Sequence, residues 1–293
     1  MSFPEYPFFK TSVLREFLKS KSSAPLKKWG QNFLIDPKAV QSLIDSADPE
    51  ALQSSEIILE IGPGLGALSH LLIRFKKKLR LYEIDPVYAE WLEHFLPGAE
   101  IVRGDARETL RLPPDTDCFL FGNLPYYITS ELIILALERL NGLKGAVFLV
   151  QKEFAVRLTK EISSLGIYAG AYGIFKLRKR IKAGCFYPAP NIDSSILSFK
   201  SAPRFAERKY YQALELLCRV AFWGKRKKLS SSLKEAPIRS FYPKGEFPFQ
   251  DKEDSLRSRL SLAVKSAEIS IDKRPEELKQ EDFYLVAEKF PFN

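Results

Sequence analysis

Between residues 57 and 151 the chain alternates short apolar runs with helix-spaced segments, and this alternation constrains the fold more than any other feature. "IILEI" (57–61) stops at Gly62, and "ALSHLLIRF" (67–75) follows with helical spacing. "LRLYEI" (79–84) is strand-like and "PVYAEWLEHFL" (86–96) helical; "EIVRG" (100–104) and "CFLFG" (118–122) are further strands. "ITSELIILALERL" (128–140) reads as a helix, "GAVFLV" (145–150) as a strand, and "QKEFAVRLTKEI" as a helix after it. Repeats of this kind predict a parallel sheet covered by helices on both faces. Further on, "YAGAYGIFKLRKRIKAG" and "SSILSFK" read as two strands with no strong helix between them, so they can pair antiparallel.

At about residue 203 the pattern changes. "RFAERKYYQALELLCRVAFWGKRKKLSSSLKEA", "SLRSRLSLAVKSAEI" and "KQEDFYLVAEKF" are all helix-like. The expected organisation is an N-terminal arm (1–26), an α/β domain (27–202) and a small all-helical domain (203–293). The first 25 residues or so are poor in pattern and read as an arm or a helix with frayed ends.

With 293 residues, 45% of them apolar, a sizeable core is expected. No apolar run is long enough to span a membrane, and the start of the chain does not read as a secretory signal. Cys118, Cys185 and Cys218 are odd in number and far apart. That argues for a reducing compartment, with no disulfide frame and no metal site, and the expected location is cytoplasmic. The net charge of +9 suggests a polyanionic partner.

"ILEIGPGLG" places Gly62, Gly64 and Gly66 between a strand and a helix, where backbone N–H groups can approach a ligand. A tight turn made only for packing would look similar, and the spacing differs from the dinucleotide fingerprint. The next strand ends add weight. Glu83, 21 residues after Gly62, can accept from both hydroxyls of a ribose, and Asp105 can accept from an adenine amine. Each acid alone is as readily a helix cap or a solvated charge. Together they describe a pocket for an adenosine-containing cofactor, either NAD or S-adenosylmethionine (SAM).

"NLPYY" at the fourth strand end discriminates between the two. The lone pair of an exocyclic base amine is delocalised into the ring. Two acceptors holding its N–H bonds free that lone pair, and the Asn123 side-chain oxygen with the Leu124 carbonyl can supply them. Pro125 stiffens the turn, and Tyr126 can stack on the base. This is positioning chemistry suited to a methyl donor.

These residues resemble the SAM-dependent amino-methyltransferases. More narrowly, the chain resembles the KsgA-type small-subunit ribosomal RNA adenine N6,N6-dimethyltransferases, from about Lys27 to Phe292. "KKWGQNFLID", "EIGPGLGALS", "GDA", "NLPYYITS", "QKEFAVRL", "CFYPAPNIDSSILSF", "FWGKRKKL" and "IDKRPEEL" follow in that family's order. The resemblance implies a class I methyltransferase sheet of seven strands, Rossmann-like, with a helical C-terminal domain. It implies that Asn32 and Leu34 close over SAM and that Tyr126 and Phe186 sandwich the target adenine. The implied substrate is a pair of adjacent adenosines near the 3′ end of small-subunit (16S) rRNA in the immature 30S subunit. Two rivals share these features: a large-subunit rRNA methyltransferase of the macrolide-resistance type, and an assembly factor whose main role is binding. Three positions depart from the family pattern: Lys225 for Arg, Tyr127 for a small polar residue, and Glu131 for Pro.

Two basic clusters fit an RNA partner: Lys176, Arg178, Lys179 and Arg180 in one, Lys225, Arg226, Lys227 and Lys228 in the other. Solvated faces are the ordinary explanation of such runs, but their place beside the expected base pocket favours phosphate contacts. Trp29 reads as a packing residue beside the segment that closes over SAM, Trp223 as a core residue of the helical domain, and His70 and His94 as surface or packing residues without a catalytic role. A monomer is expected.

Overall fold

Strands β1 to β9 are Phe33–Leu34, Ile57–Ile61, Lys78–Glu83, Glu100–Arg103, Cys118–Asn123, Leu143–Gln151, Gly173–Ile181, Phe186–Tyr187 and Ser194–Ser201. Seven of them form one sheet in the order β4-β3-β2-β5-β6-β9-β7, and β1 pairs antiparallel with β8. The computed structural model describes residues 5–22, 25, 30–224, 226–242, 248–249 and 252–292. β4, β3, β2, β5 and β6 run parallel, and β9 lies antiparallel to β6. The parallel sheet expected over residues 57–151 is present, and antiparallel β9 makes the whole sheet mixed. β2 is buried along its whole length and β5 up to Asn123, as strands covered on both faces must be.

The order places the site. β2 has β3 on one side and β5 on the other, so the chain reverses its direction of winding at β2. Crevices open at the carboxyl ends of strands at such a reversal. Ile61 is in register with Tyr82 on one side and with Gly122 on the other. Gly62, Glu83 and Asn123, each one residue further on, are thereby brought to the same end of the sheet.

Helices start at Asp-Pro pairs three times around this sheet. Asp36, Asp48 and Asp85 accept from the backbone N–H groups of Ala39, Ala51 and Val87 at 2.9, 3.0 and 2.9 Å, and Pro follows each at the first helical position. The side chain satisfies an otherwise unpaired donor, and the proline ring pre-sets φ.

The chain divides into two units, residues 1–156 with 174–201, and residues 157–173 with 202–293. The sequence reading differs from this division in two ways. Residues 157–173, including helix Ser164–Gly170, group with the helical unit. The N-terminal segment is part of the sheet-containing unit, with helix Thr11–Ser20 and buried Tyr6, Phe8, Leu14 and Leu18. Leu14 and Leu18 are four apart and share one helix face, a spacing too short to stand out in the sequence.

In the second unit the long basic helical stretch is broken. Helix Arg208–Ala221 ends before Trp223, and Leu229–Glu235 starts anew; helices Glu253–Ser266 and Gln280–Glu288 follow. Tyr211 anchors Arg208–Ala221 within this unit by donating to the Phe205 carbonyl at 3.2 Å, and Tyr284 donates to the Ile167 carbonyl at 3.0 Å. Trp223 is not a core residue. It is 37% exposed, with the Lys227 ammonium 4.2 Å from its ring centre. Lys27 and Trp29 lie outside the described residues.

Candidate functional site

A cleft of about 720 Å³, open mouth included, lies at the carboxyl ends of β2, β3 and β5. Asn32, Leu34, Gly62, Gly64, Glu83 and Asn123 line it, together with Pro125. A second cavity of about 390 Å³ adjoins it and shares Gly62, Glu83, Ile84 and Pro125. Its other walls include Gly104, Asp105, Ala106 and Tyr127.

The glycine turn is shaped by what crowds it. Gly62 has φ +70°, and a Cβ there would sit 3.1 Å from the Asn123 carbonyl oxygen. At Gly64, φ +57°, a Cβ would press on the Phe33 ring at 3.3 Å. The turn therefore needs glycine at both positions to pack this closely against Asn123 and Phe33. Gly66 does not line the cleft. Its N–H closes the turn onto the Pro63 carbonyl at 2.9 Å, and a Cβ would strike Leu92 at 3.2 Å, so it serves the turn and the packing of helix Pro86–Phe95.

Glu83 is 4% exposed and accepts from the N–H groups of Gly64 and Asp85, each at 2.9 Å. Burial pushes its carboxyl up to about 7, and the Asp85 charge adds to this against the two backbone donors. Asp105 is the opposite case. It caps the short helix Ala106–Thr109, and both its oxygens also accept from the Arg107 guanidinium, at 2.6 to 3.1 Å. That pairing holds its carboxyl below the usual range. Arg107 also lies 3.5 Å from Glu131, so the Glu131 departure supplies a second anion to the same guanidinium.

The segment ahead of β1 lines the cleft and is fastened at several points. Asn123 donates its side-chain amide to the Asn32 carbonyl at 3.1 Å, which leaves its Oδ1 as an acceptor. Asn32 donates to the Gly30 carbonyl at 3.1 Å, and Gln31 donates to Asp85 at 3.0 Å. Phe33 and Leu34 pair with Tyr187 and Phe186, and the Ile35 N–H bonds the Cys185 carbonyl at 2.9 Å. The turn itself is braced by Thr129 donating to the Pro125 carbonyl at 2.9 Å and by a 2.7 Å bond between the Tyr126 and Ser194 hydroxyls. The Leu124 N–H is used by the Leu149 carbonyl at 3.2 Å.

Phe186 is 3% exposed and belongs to the hydrophobic core, so it offers no open ring face beside Tyr126. Tyr127, next to Tyr126, is 57% exposed.

The basic clusters are partly committed elsewhere. Strand β7 stands at the sheet edge, where charged side chains also block unwanted strand pairing. Arg178 donates to Ser198 at 2.8 Å, Lys179 to Ser42 at 2.9 Å, and Arg180 pairs with Asp193. Lys227 pairs with Glu235 and Lys228 with Asp272. Among the described residues Lys176, Arg178, Lys179 and Arg226 have no ion pair, and Lys225 lies outside them. His70 is buried packing and His94 an exposed helix residue.

Glu60, Gln31 and Tyr6 are among the cleft residues not expected from the sequence. Glu60 is the one acid in "IILEI", an anomaly in a buried strand that could have been noticed. It is 1% exposed, takes a 2.6 Å bond from Ser69, and burial pushes it up to about 8, with the Glu83 charge adding. Gln31 lies in "KKWGQNFLID", next to Asn32, and Tyr6 carries no local signal.

The sequence profile of the family described as ribosomal RNA adenine dimethylase matches residues 24–244. A relative from Borreliella burgdorferi, ribosomal RNA small subunit methyltransferase A, is 33% identical, over 94% of this chain and 92% of its own. The protein of that name from Treponema denticola is 28% identical over the same shares. Two solved structures share the fold. A dimethyladenosine transferase from Plasmodium falciparum has TM-score 0.67 and 23% identity, over 86% of this chain and 94% of its own. The 23S rRNA methyltransferase ErmE has TM-score 0.63 and 24% identity, over 88% and 99%.

Proposed function

The chain belongs to the ribosomal RNA adenine dimethylase family, and from that premise we propose that it dimethylates the N6 amines of two adjacent adenosines in the 3′-terminal hairpin of small-subunit rRNA. It is a SAM-dependent rRNA adenine N6,N6-dimethyltransferase with a class I methyltransferase fold. The partner in this reading is the immature small subunit, met in the cytoplasm by a monomeric enzyme. No helix among the described residues is long and apolar enough to cross a membrane.

The observation that carries the reading is the Asn123 amide. Its Nδ2 is fastened to the Asn32 carbonyl, so Oδ1 is held as an acceptor at the end of β5. The residues around the cleft fit the cofactor: a turn without Cβ atoms at Gly62 and Gly64, buried Glu83 for the ribose, and Asp105 at the adenine end. SAM, when bound, supplies an electrophilic methyl group. The chain's own work is positioning. Asn123 Oδ1 and the Leu124 carbonyl take the two N–H bonds of the target amine and free its lone pair. Pro125 keeps the acceptors in place, and Tyr126, held by Ser194, presents its ring to the base. The base must leave its stack to reach them. The attacked nitrogen becomes acidic only after transfer, so no strong base is needed beforehand.

Lys176, Arg178, Lys179, Arg180 and Arg226–Lys228 are assigned to phosphate contacts, which orient RNA without reading its bases. Pairing with Asp193, Glu235 and Asp272 reduces what Arg180, Lys227 and Lys228 add; Lys176, Arg178, Lys179 and Arg226, whose charges are not neutralised by an ion pair among the described residues, carry most of this role.

The test is transfer of labelled methyl from SAM to unmethylated small subunits and, separately, to unmethylated large-subunit rRNA, followed by nucleoside analysis. N6,N6-dimethyladenosine in the small-subunit RNA alone is the expected result. Product only in the large-subunit RNA, or none in either with SAM still bound, contradicts the proposal.

A further inference from the structure

The family match begins at residue 24 and leaves the N-terminal arm without a role. The arm nevertheless reaches the cofactor cleft. Tyr6 precedes the turn Pro7–Phe9 and lines the cleft beside Glu60, Gly62 and Gly64. It is 4% exposed. Its ring is clamped: it stacks on His70 at 5.3 Å and 18°, and meets Phe8, Phe9 and Phe95 edge-on at 5.5, 4.7 and 6.3 Å. The hydroxyl at the end of this fixed ring is buried and has no hydrogen-bond partner among the described residues.

A buried hydroxyl without a partner is costly, and most are satisfied. One that is rigidly held in the wall of a binding cleft is accounted for by a ligand that satisfies it. Burial and the nearby Glu60 keep this phenol protonated, so it remains a donor. The two cavities give the order of the ligand's parts. Asp105 lines only one of them, Glu83 lines both, and Tyr6 lines only the other. With adenine at Asp105 and ribose at Glu83, the part of the cofactor beyond the ribose lies toward Tyr6. That part is an amino acid, and its carboxylate is an acceptor.

We propose that the Tyr6 hydroxyl donates a hydrogen bond to the carboxylate of the amino-acid end of SAM, so that the N-terminal arm completes the cofactor site. This rests on the SAM reading of the cleft.

The test is calorimetric titration of wild type and Tyr6→Phe with two non-reacting probes. S-adenosylhomocysteine keeps the amino-acid end, and 5′-methylthioadenosine lacks it. Tyr6→Phe keeps the ring stack and removes only the hydroxyl. It is expected to weaken S-adenosylhomocysteine about tenfold and to leave methylthioadenosine within about twofold. The Tm of the ligand-free variant should equal or exceed wild type, because an unpartnered buried hydroxyl has been removed. Unchanged S-adenosylhomocysteine binding, or equal weakening of both probes, would overturn the assignment. If wild type bound neither probe, the cofactor reading would fail and the proposal with it.

Discussion

The turn at residues 123–126 and the edge strand β7 are equally conspicuous in the sequence and differ in what holds them. In the turn, nearly every polar group has a fixed partner: the Asn123 amide on Asn32, the Pro125 carbonyl under Thr129, the Tyr126 hydroxyl on Ser194. Its chemistry resides in its own peptide and amide groups, so four adjacent residues nearly define it. In β7 each cation has a different situation. Arg178 bonds Ser198, Lys179 bonds Ser42, Arg180 pairs with Asp193, and Lys176 has no ion pair among the described residues. A charge run states how much charge is present; its partners, up to 137 residues away in the case of Lys179, decide how much of it is available.

If the turn is as tightly determined as this, the largest effect comes from moving it. Gly62→Ala places a methyl 3.1 Å from the Asn123 carbonyl oxygen at φ +70°. Initial rates of methyl transfer should fall about a hundredfold, as expected when acceptors shift from productive geometry. A rate near wild type would mean that the glycine turn and the acceptor turn are not interlocked.

Glu83 gives the next effect. Glu83→Gln should weaken SAM binding about tenfold at pH 8, by removing an ionised acceptor. The sign with pH follows from the raised carboxyl, about 7 in the fold against an ordinary 4.5. The folded protein holds this proton more tightly than the unfolded chain does. The group therefore favours the fold at acid pH, and that contribution is lost as pH rises through about 7. Ribose hydroxyls are accepted best by the ionised form, so wild-type SAM affinity, read by titration calorimetry between pH 6 and 8.5, should decline below about 7. The Gln variant should flatten this profile.

The smallest effects belong to β7 and separate its cations. Lys176→Glu should reduce the slope of log affinity for RNA against log salt by about one, with Tm unchanged. Arg180→Ala should alter the salt slope less and lower Tm slightly, because Asp193 keeps only the Ala183 N–H, at 2.9 Å. Equal effects from both would remove the distinction between paired and free cations.

Much of the site was legible where local chemistry is strict. Strand ends marked by Gly62, Glu83, Asp105 and Asn123 are read from apolar runs that stop at glycine or acid, and the sheet order then brings them together. The two acids look alike in sequence, and their surroundings make them differ: Glu83 is buried against the Gly64 and Asp85 N–H groups, and Asp105 is taken by Arg107. Tyr6 was not legible, because a residue in an unpatterned segment reveals its contacts only when the distant chain that carries His70 and Glu60 packs against it. Phe186 was expected open and is buried, since its pairing with Leu34 draws it into the core. Trp223 was expected in the core. The break after Ala221 brings it to the surface under Lys227.

The most direct measurement is Asn123→Ala, assayed both for methyl transfer to unmethylated small subunits and for SAM binding by calorimetry. Loss of a positioned acceptor at the reacting centre should lower the transfer rate about a hundredfold to a thousandfold while SAM affinity stays within about threefold. Transfer at a near wild-type rate would contradict the role given to the turn.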